Sequence, residues 1–390
     1  MNNIMFERGK KVLLFLSWRD IFAPKKGGAE VYTHEMLKRI DHKKYQVLHI
    51  SPLFDDSPIY EVHDQIHYMR MGTMITVLLH AFIFYWKHNL DIDFVVDQCN
   101  THRFFTPFWV PKGKRIFFIH QLTREIWFRN AVFPLNYMGY WLETWMLKIY
   151  RHNHTMTVSH STKKDLITLG FSPSFIQIIP EGIEFEPWSE KSFLKKETVP
   201  TFIYVGRFAK YKGIDDAFKA YGNFKKTHQE AKLWIVGKEN ETYKEHVLNK
   251  LCELYNLKYG RDPINDDVIY YGFVSNEKKL ELMSRAHCVI FPSEREGWGL
   301  TVTEAAAVGT PSIVYNSPGL VDAVDYGKAG FLTNQNTVDD LEGIMHKAIH
   351  NKKEYMKMRK QAYVYAKQFK WSNTADHFEK MLNHLIQEVA

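Results

Sequence analysis

Two successive series of short, continuously apolar runs, each run separated from the next by a helical pattern, constrain this chain more than any other feature. The first series is KVLLFLS (11–17), YQVLHIS (45–51), FVVDQ (94–98), RIFFIHQ (115–121) and TMTVSH (155–160). The second is TFIYVGR (201–207), KLWIVG (232–237), VIYYGF (268–273), CVIFPS (288–293) and PSIVY (311–315). Runs that are apolar throughout suit strands buried on both faces, and the helices between them supply the crossovers that parallel strands require. The expected class is α/β, with two Rossmann-like domains. A length of 390 residues agrees, being long for a single core.

The boundary is expected within PEGIEFEPWSEKSFLKKETVP (180–200), whose three prolines, charges and lack of period read as an interdomain linker. This gives an N-terminal domain at 1–185 and a C-terminal domain at 186–371. The last helical pattern, 372–390, is expected to pack back on the first domain. No repeat or low-complexity tract is present.

Charge and cysteine usage narrow the function classes. Lysine and arginine number 51 against 44 aspartates and glutamates, which favours anionic partners. The basic residues are not clustered and no recognition module appears, so nucleic acid is not an expected partner. Cys99, Cys252 and Cys288 stand apart, without the spacing of a disulfide framework or a zinc site, which suits a reducing compartment. The N-terminal run VLLFLS is too short for a signal-peptide core, and MITVLLHAFIFYW (74–86) falls short of the roughly 20 residues of a membrane span. A cytoplasmic location is expected, with peripheral attachment to the inner membrane face as a further option. The series Tyr137, Trp141, Trp145 and Ile149 keeps helical spacing and reads as core packing, membrane contact being the alternative.

In doubly wound sheets ligands bind beyond the carboxyl ends of strands. One such place is FPSEREGWGLTVTEAAAVGTPSIVY (291–315), a strand end, a glycine-bearing loop and a helix closed by Gly309. Gly297 and Gly299 let backbone amides approach an anion, and the helix start directs free N–H groups to the same point. Glu296 and Glu304 accept hydrogen bonds from hydroxyls. A ligand with phosphate in its middle and hydroxyls at both ends, such as a nucleoside-diphosphate sugar, would suit this set. Thr301-Val-Thr-Glu304 also matches a capping box, in which Glu304 would bond the backbone at the helix start. GRFAKYKG (206–213) supplies Arg207 and Lys212 for a diphosphate, although such cations are commonly solvated surface. Gly27 and Gly28 precede a helix after the first strand, a weaker signal for phosphate approach. His120 ends an apolar run, where a structural histidine is the ordinary case.

Taken in order, GGAE, FIHQ, TVSHSTKKDL, IIPEGIE, VGRFAKYKG and EGWGLTVTEAAAVGTPSIV resemble the retaining glycosyltransferases of family 4, over nearly the whole chain. The resemblance implies the GT-B fold, two facing Rossmann-like domains with an interdomain cleft, the first for the acceptor and the second for the sugar nucleotide. It implies no metal and no cofactor beyond the donor substrate, a UDP-linked hexose or N-acetylhexosamine. The acceptor would be a glycan, a lipid-linked molecule or a small molecule. By motif, Glu296 would contact donor-sugar hydroxyls and Glu304 the ribose. Arg207, Lys212 and the amides around Gly297, Trp298, Gly299, Leu300 and Thr301 would hold the diphosphate. Gly27 and Gly28 would approach the donor from the other domain, and His120 would lie near the reacting carbon. Glu181 departs from the family, which more often has Asn there.

Three rivals follow from the same residues. Asp91-Ile-Asp93 is the Asp-x-Asp of a metal-dependent transferase, but it precedes a strand instead of following one. A sugar-nucleotide epimerase would bind the donor without an acceptor. A non-catalytic partner subunit should have lost the donor carboxylates and cations.

Overall fold

The computed structural model describes residues 5–100 and 102–389. The chain forms two compact units, one built from residues 1–127, 131–182 and 370–390, the other from 128–130 and 183–369. Apart from the short excursion at 128–130, the chain passes between them at Gly182 to Ile183 and returns at Phe369 to Lys370.

The first unit contains β1 (Lys11–Leu16), β2 (Tyr45–Ser51), β3 (Tyr60–His63), β4 (Ile66–Arg70), β5 (Phe94–Cys99), β6 (Arg115–Ile119), β7 (His154–Thr157) and β8 (Ile176–Ile178). They form one sheet in the order β3-β4-β2-β1-β5-β6-β7-β8. Every pairing is parallel except β3 with β4. The run 155–160 leaves the sheet after Thr157, because Ser159 caps the helix His160–Thr168, its hydroxyl accepting from Thr162 N at 3.2 Å. The helix Trp371–Val389 belongs to this unit, where Glu379 accepts from Asp41 N at 2.7 Å and Tyr45 donates to Asn383 at 3.0 Å.

The second unit contains β9 (Thr201–Val205), β10 (Lys232–Val236), β11 (Tyr259–Gly260), β12 (Val268–Gly272), β13 (Cys288–Phe291), β14 (Ser312–Val314) and β15 (Phe331–Leu332). Their order is β11-β12-β10-β9-β13-β14-β15, all parallel. Alternate residues of β9 enter opposite cores: Phe202 and Tyr204 join one apolar cluster, Ile203 and Val205 the other. Burial on both faces is the physical reason these strands lack polar alternation.

The unit boundary falls inside the expected stretch 180–200, but the segment after Ile183 packs as part of the second unit. Trp188 N donates to Ala307 O at 3.1 Å, and half-buried Lys196 donates to Ser284 O, Ala286 O and Thr310 Oγ1 at 2.9, 2.8 and 2.5 Å. Burial lowers the pKa of Lys196 well below the usual lysine value. The aromatic series, contrary to expectation, is not core. In the helix Leu135–Lys148 the inward residues are Glu143 and Leu147, while Trp141 and Trp145 are 68% and 65% exposed. Helical spacing identified a face, and Glu143 decides which face turns inward, because its carboxylate accepts from Thr123 N and Arg124 N at 2.7 and 2.9 Å.

Candidate functional site

Each sheet has a switch point in its strand order between the two central strands whose chains run on to opposite sides, β1 and β5 in the first unit and β9 and β13 in the second. Loops leaving neighbouring strands at such a switch point diverge and open a crevice at the carboxyl edge. β9 and β13 are far apart in sequence but adjacent in the sheet, so the loop carrying Arg207 and Lys212 emerges beside the loop carrying Glu296.

Tyr211 ties the two loops together. Its carbonyl accepts from Glu294 N at 2.8 Å and from Ser293 Oγ at 3.1 Å, and its hydroxyl accepts from Arg207 Nη2 at 2.8 Å. Gly213 allows the close approach: at φ 72°, an added Cβ would lie 2.0 Å from Pro292 O. Lys212 Nζ then reaches Glu296, donating to Oε1 at 2.6 Å and to Oε2 at 2.8 Å. Arg207 itself is exposed. The Glu296 loop is braced from behind, since Glu296 N donates to Pro318 O at 3.0 Å and Ser317 Oγ to Ser293 O at 2.7 Å. Gly319 completes the brace; a Cβ there would lie 2.2 Å from Glu296 O.

Gly299, at φ 119°, starts the helix Leu300–Ala307, whose first N–H groups, those of Leu300 and Thr301, have no carbonyl a turn earlier to bond. Glu304 is not a capping residue. It lies beyond the third helical position, and both its oxygens accept from Lys279 Nζ, at 2.9 and 2.8 Å. Burial pushes its carboxyl upward, and the Lys279 charge and hydrogen bonds oppose that shift. The indole of Trp298 is buried and packs edge-on to Phe369, ring centres 4.9 Å apart, which leaves the main chain as the part of this residue open to a ligand.

The first unit gathers a second set. Gly27 and Gly28 follow β1, and Gly28 opens the helix Gly28–Leu37. The Gly27 amide donates to Glu30 Oε2 at 2.6 Å, and Arg19 Nε donates to Glu30 Oε1 at 3.0 Å. His120 follows β6 and is buried, with Nε2 at 3.2 Å from Gln98 Nε2 and Nδ1 at 3.4 Å from Glu181 Oε1. With the Gln98 amide as donor, Nε2 accepts and Nδ1–H is directed to Glu181. The departure from the family pattern at 181 thus provides a carboxylate for His120.

Sequence reasoning assigned no part to Lys279, Glu30, Gln98 or Tyr211. GGAE and KYKG contain two of them, but side-chain partners from other elements carry no local signal. Asp93 of the Asp-x-Asp is engaged at the opposite edge of its sheet, accepting from Lys11 Nζ at 2.9 Å and Val12 N at 2.8 Å.

Residues 186–365 match the family described as Glycosyl transferases group 1, and residues 26–186 match Glycosyltransferase Family 4. The chain belongs to these glycosyltransferases. A glycogen synthase of Mycobacterium tuberculosis is 28% identical over 191 residues, covering 48% of this chain and 43% of that one. The chain spans about half the length of the curated relatives it matches. Sucrose-phosphate synthase from Thermosynechococcus elongatus superposes with a TM-score of 0.75 at 16% identity, covering 97% of this chain and 100% of that one. The HepE protein of Anabaena, solved in complex with UDP-glucose, gives a TM-score of 0.69 at 15% identity, with coverages of 96% and 99%. The glycosyltransferase fold of this chain is GT-B.

Proposed function

We propose that this member of the family is a retaining, metal-independent transferase that moves a hexosyl or N-acetylhexosaminyl unit from a UDP-sugar to an acceptor hydroxyl. One observation carries the reading: at the carboxyl edge of β9 and β13, two cations, a helix start and the two carboxylates Glu296 and Glu304 come from neighbouring elements. Cations and helix-end amides suit a diphosphate, while carboxylates suit hydroxyls. The complex of HepE with UDP-glucose supports the choice of donor.

In the proposed step the acceptor oxygen attacks the anomeric carbon on the face from which UDP departs. The carbon–oxygen bond to phosphate breaks, its electron pair stays on the diphosphate, and the acceptor proton passes to a diphosphate oxygen. Arg207, Lys212 and the Leu300 and Thr301 amides stabilise the charge growing on that leaving group. Glu296 orients the sugar, Glu304 the ribose, and His120 serves as a further catalytic group oriented by Glu181.

The outward stripe of Leu135–Lys148 is assigned to a lipid-bearing acceptor or to the membrane surface that presents it. Exposed Lys148 and Arg151 adjoin Trp141 and Trp145, a pairing of aromatic and basic residues suited to an anionic bilayer surface. Among the described residues, no helix is long and apolar enough to cross a membrane.

The test is a donor panel read by thermal shift and by transfer, with and without EDTA. At a hundred times its dissociation constant the true donor should stabilise the fold by about 2.7 kcal/mol. Transfer should survive EDTA. Loss of transfer on chelation with recovery on adding Mn²⁺ would overturn the metal-independent reading.

A further inference from the structure

Three histidines of the second unit converge away from the groups just described. His346 and His350 lie one turn apart at the end of the helix Val338–His350, and His228 follows the helix Ile214–Lys225, against which that helix packs. One nitrogen from each ring lies within 4.8 Å of the other two. We propose that His228, His346 and His350 form a binding site for a divalent transition-metal ion, zinc by the chemistry of its donors.

The geometry favours coordination over a chance cluster. A tetrahedral zinc with bonds to nitrogen of about 2.0–2.1 Å places its ligand atoms roughly 3.3 Å apart. His228 Nε2 and His350 Nε2 are separated by 3.2 Å. Both rings are oriented from behind through their other nitrogen, as metal-bound imidazoles commonly are. His350 Nδ1 is 2.9 Å from His346 O, and His228 Nδ1 is 2.9 Å from Thr227 Oγ1. His228 also stacks on buried Phe224, ring centres 4.2 Å apart at 10°, which fixes its plane. Glu342 Oε1, 3.5 Å from His346 Nε2, provides a carboxylate beside the third ligand. Three neutral imidazoles suit zinc and its first-row neighbours, whereas magnesium and calcium prefer oxygen.

A second trio, His34, His63 and Asp64, is the weaker candidate because two of its members, His63 and Asp64, are exposed, against His350 alone in the first. In it His34 Nδ1 lies 2.7 Å from Tyr68 Oη and Nε2 lies 3.1 Å from Asp64 Oδ2.

The site clips two helices rather than joining the transfer chemistry. Lys212 precedes the helix Ile214–Lys225 and His228 follows it, so the helix length alone puts about 18 Å between them. Bound zinc should therefore raise stability and leave donor binding unchanged.

Full-length chain without a histidine tag, stripped by chelator and dialysed, is titrated with zinc chloride by calorimetry and melted with and without zinc. One equivalent should bind to the wild type and raise its Tm. His350→Ala, at an exposed position, and His228→Ala should each weaken zinc binding tenfold or more, since even partners behind metal ligands are worth 10–100-fold. His63→Ala should bind zinc like the wild type. The proposal is overturned if the wild type takes up no zinc, or if both alanine variants bind it unchanged. Loss of binding in His63→Ala alone would also overturn it, assigning the ion to the other trio.

Discussion

Lys212 and Glu296 are joined by two hydrogen bonds, 2.6 Å to Oε1 and 2.8 Å to Oε2, across loops from adjacent strands. The proposed diphosphate ligand and the proposed sugar ligand thus share one ammonium group. Lysine has three donors, so one N–H remains for a phosphate oxygen while Glu296 is held in place. The same pattern recurs at the other end of the Glu-x7-Glu spacing, where Lys279 holds Glu304.

Removing the cations should weaken UDP. Arg207→Ala and Lys212→Ala are each expected to cost about 1.5–3 kcal/mol of UDP binding, the worth of a hydrogen bond to a charged group, with a larger loss in turnover. Lys212→Ala should in addition release Glu296 and so raise the KM for the UDP-sugar beyond the change in UDP affinity. UDP titration by calorimetry measures the first effect and initial rates the second. Unchanged UDP affinity in both variants would remove these residues from the site.

Acid should destabilise the fold through His287. Burial, aided by the nearby Lys196 charge, lowers its pKa from 6.5 to about 4, and Thr201 N donates into its Nδ1 at 3.1 Å. The unfolded chain therefore binds more protons than the native one between those values, and stability rises with pH across that window. The contribution is fully present above pH 6.5 and is lost as pH falls towards 4, a change on the order of 3 kcal/mol at 1.36 kcal/mol per unit. Thermal melts from pH 4 to 7 should show a shallower slope in His287→Asn. Some slope should persist, since burial also lowers His49 to about 4. Parallel curves for variant and wild type would refute the assignment.

The outward aromatic stripe makes a separate expectation. Trp141→Ala combined with Trp145→Ala should reduce cosedimentation with vesicles containing anionic lipid while leaving folding stability within about 0.5 kcal/mol of the wild type, as for other exposed substitutions. High salt should weaken the remaining binding by screening Lys148 and Arg151. Equal sedimentation of the two proteins would leave the stripe without a membrane role.

What the sequence revealed follows from where each signal resides. The central strands were legible because burial on both faces makes them apolar throughout, as in Phe202 to Val205. The edge strand Tyr60–His63 alternates with charge, and Tyr259–Gly260 and Phe331–Leu332 are too short to stand out. Glu296 and the helix start at Gly299 were legible because a glycine turn and a strand end flank them. Lys279 was not: in NEKKLELMSR it sits among charges that mark an ordinary solvated face, and only the packing of that helix beside Leu300–Ala307 gives it a partner. The aromatic stripe shows the same limit, since a period reveals faces without naming the inner one.

Lys279 also changes how Glu304 must be tested. Glu304→Ala should weaken UDP if the carboxylate holds the ribose. It also strips a half-buried lysine of its partner, so a fall in Tm no longer distinguishes a ligand role from a structural one. Breaking such a pair from one side commonly costs about 3–5 kcal/mol, whereas replacing both members with apolar residues is often nearly neutral. The double variant Lys279→Met with Glu304→Leu should therefore regain most of the Tm lost in Glu304→Ala. Its UDP affinity should stay as weak as that of Glu304→Ala, because the acceptor for the ribose hydroxyls is still missing. Glu296→Gln, which keeps shape and alters charge beside the reacting carbon, should bind UDP nearly normally and lose tenfold or more in transfer, about 1.4 kcal/mol per decade. If the double variant recovers both Tm and UDP binding, Glu304 serves only to pair Lys279, and the ribose must be held elsewhere.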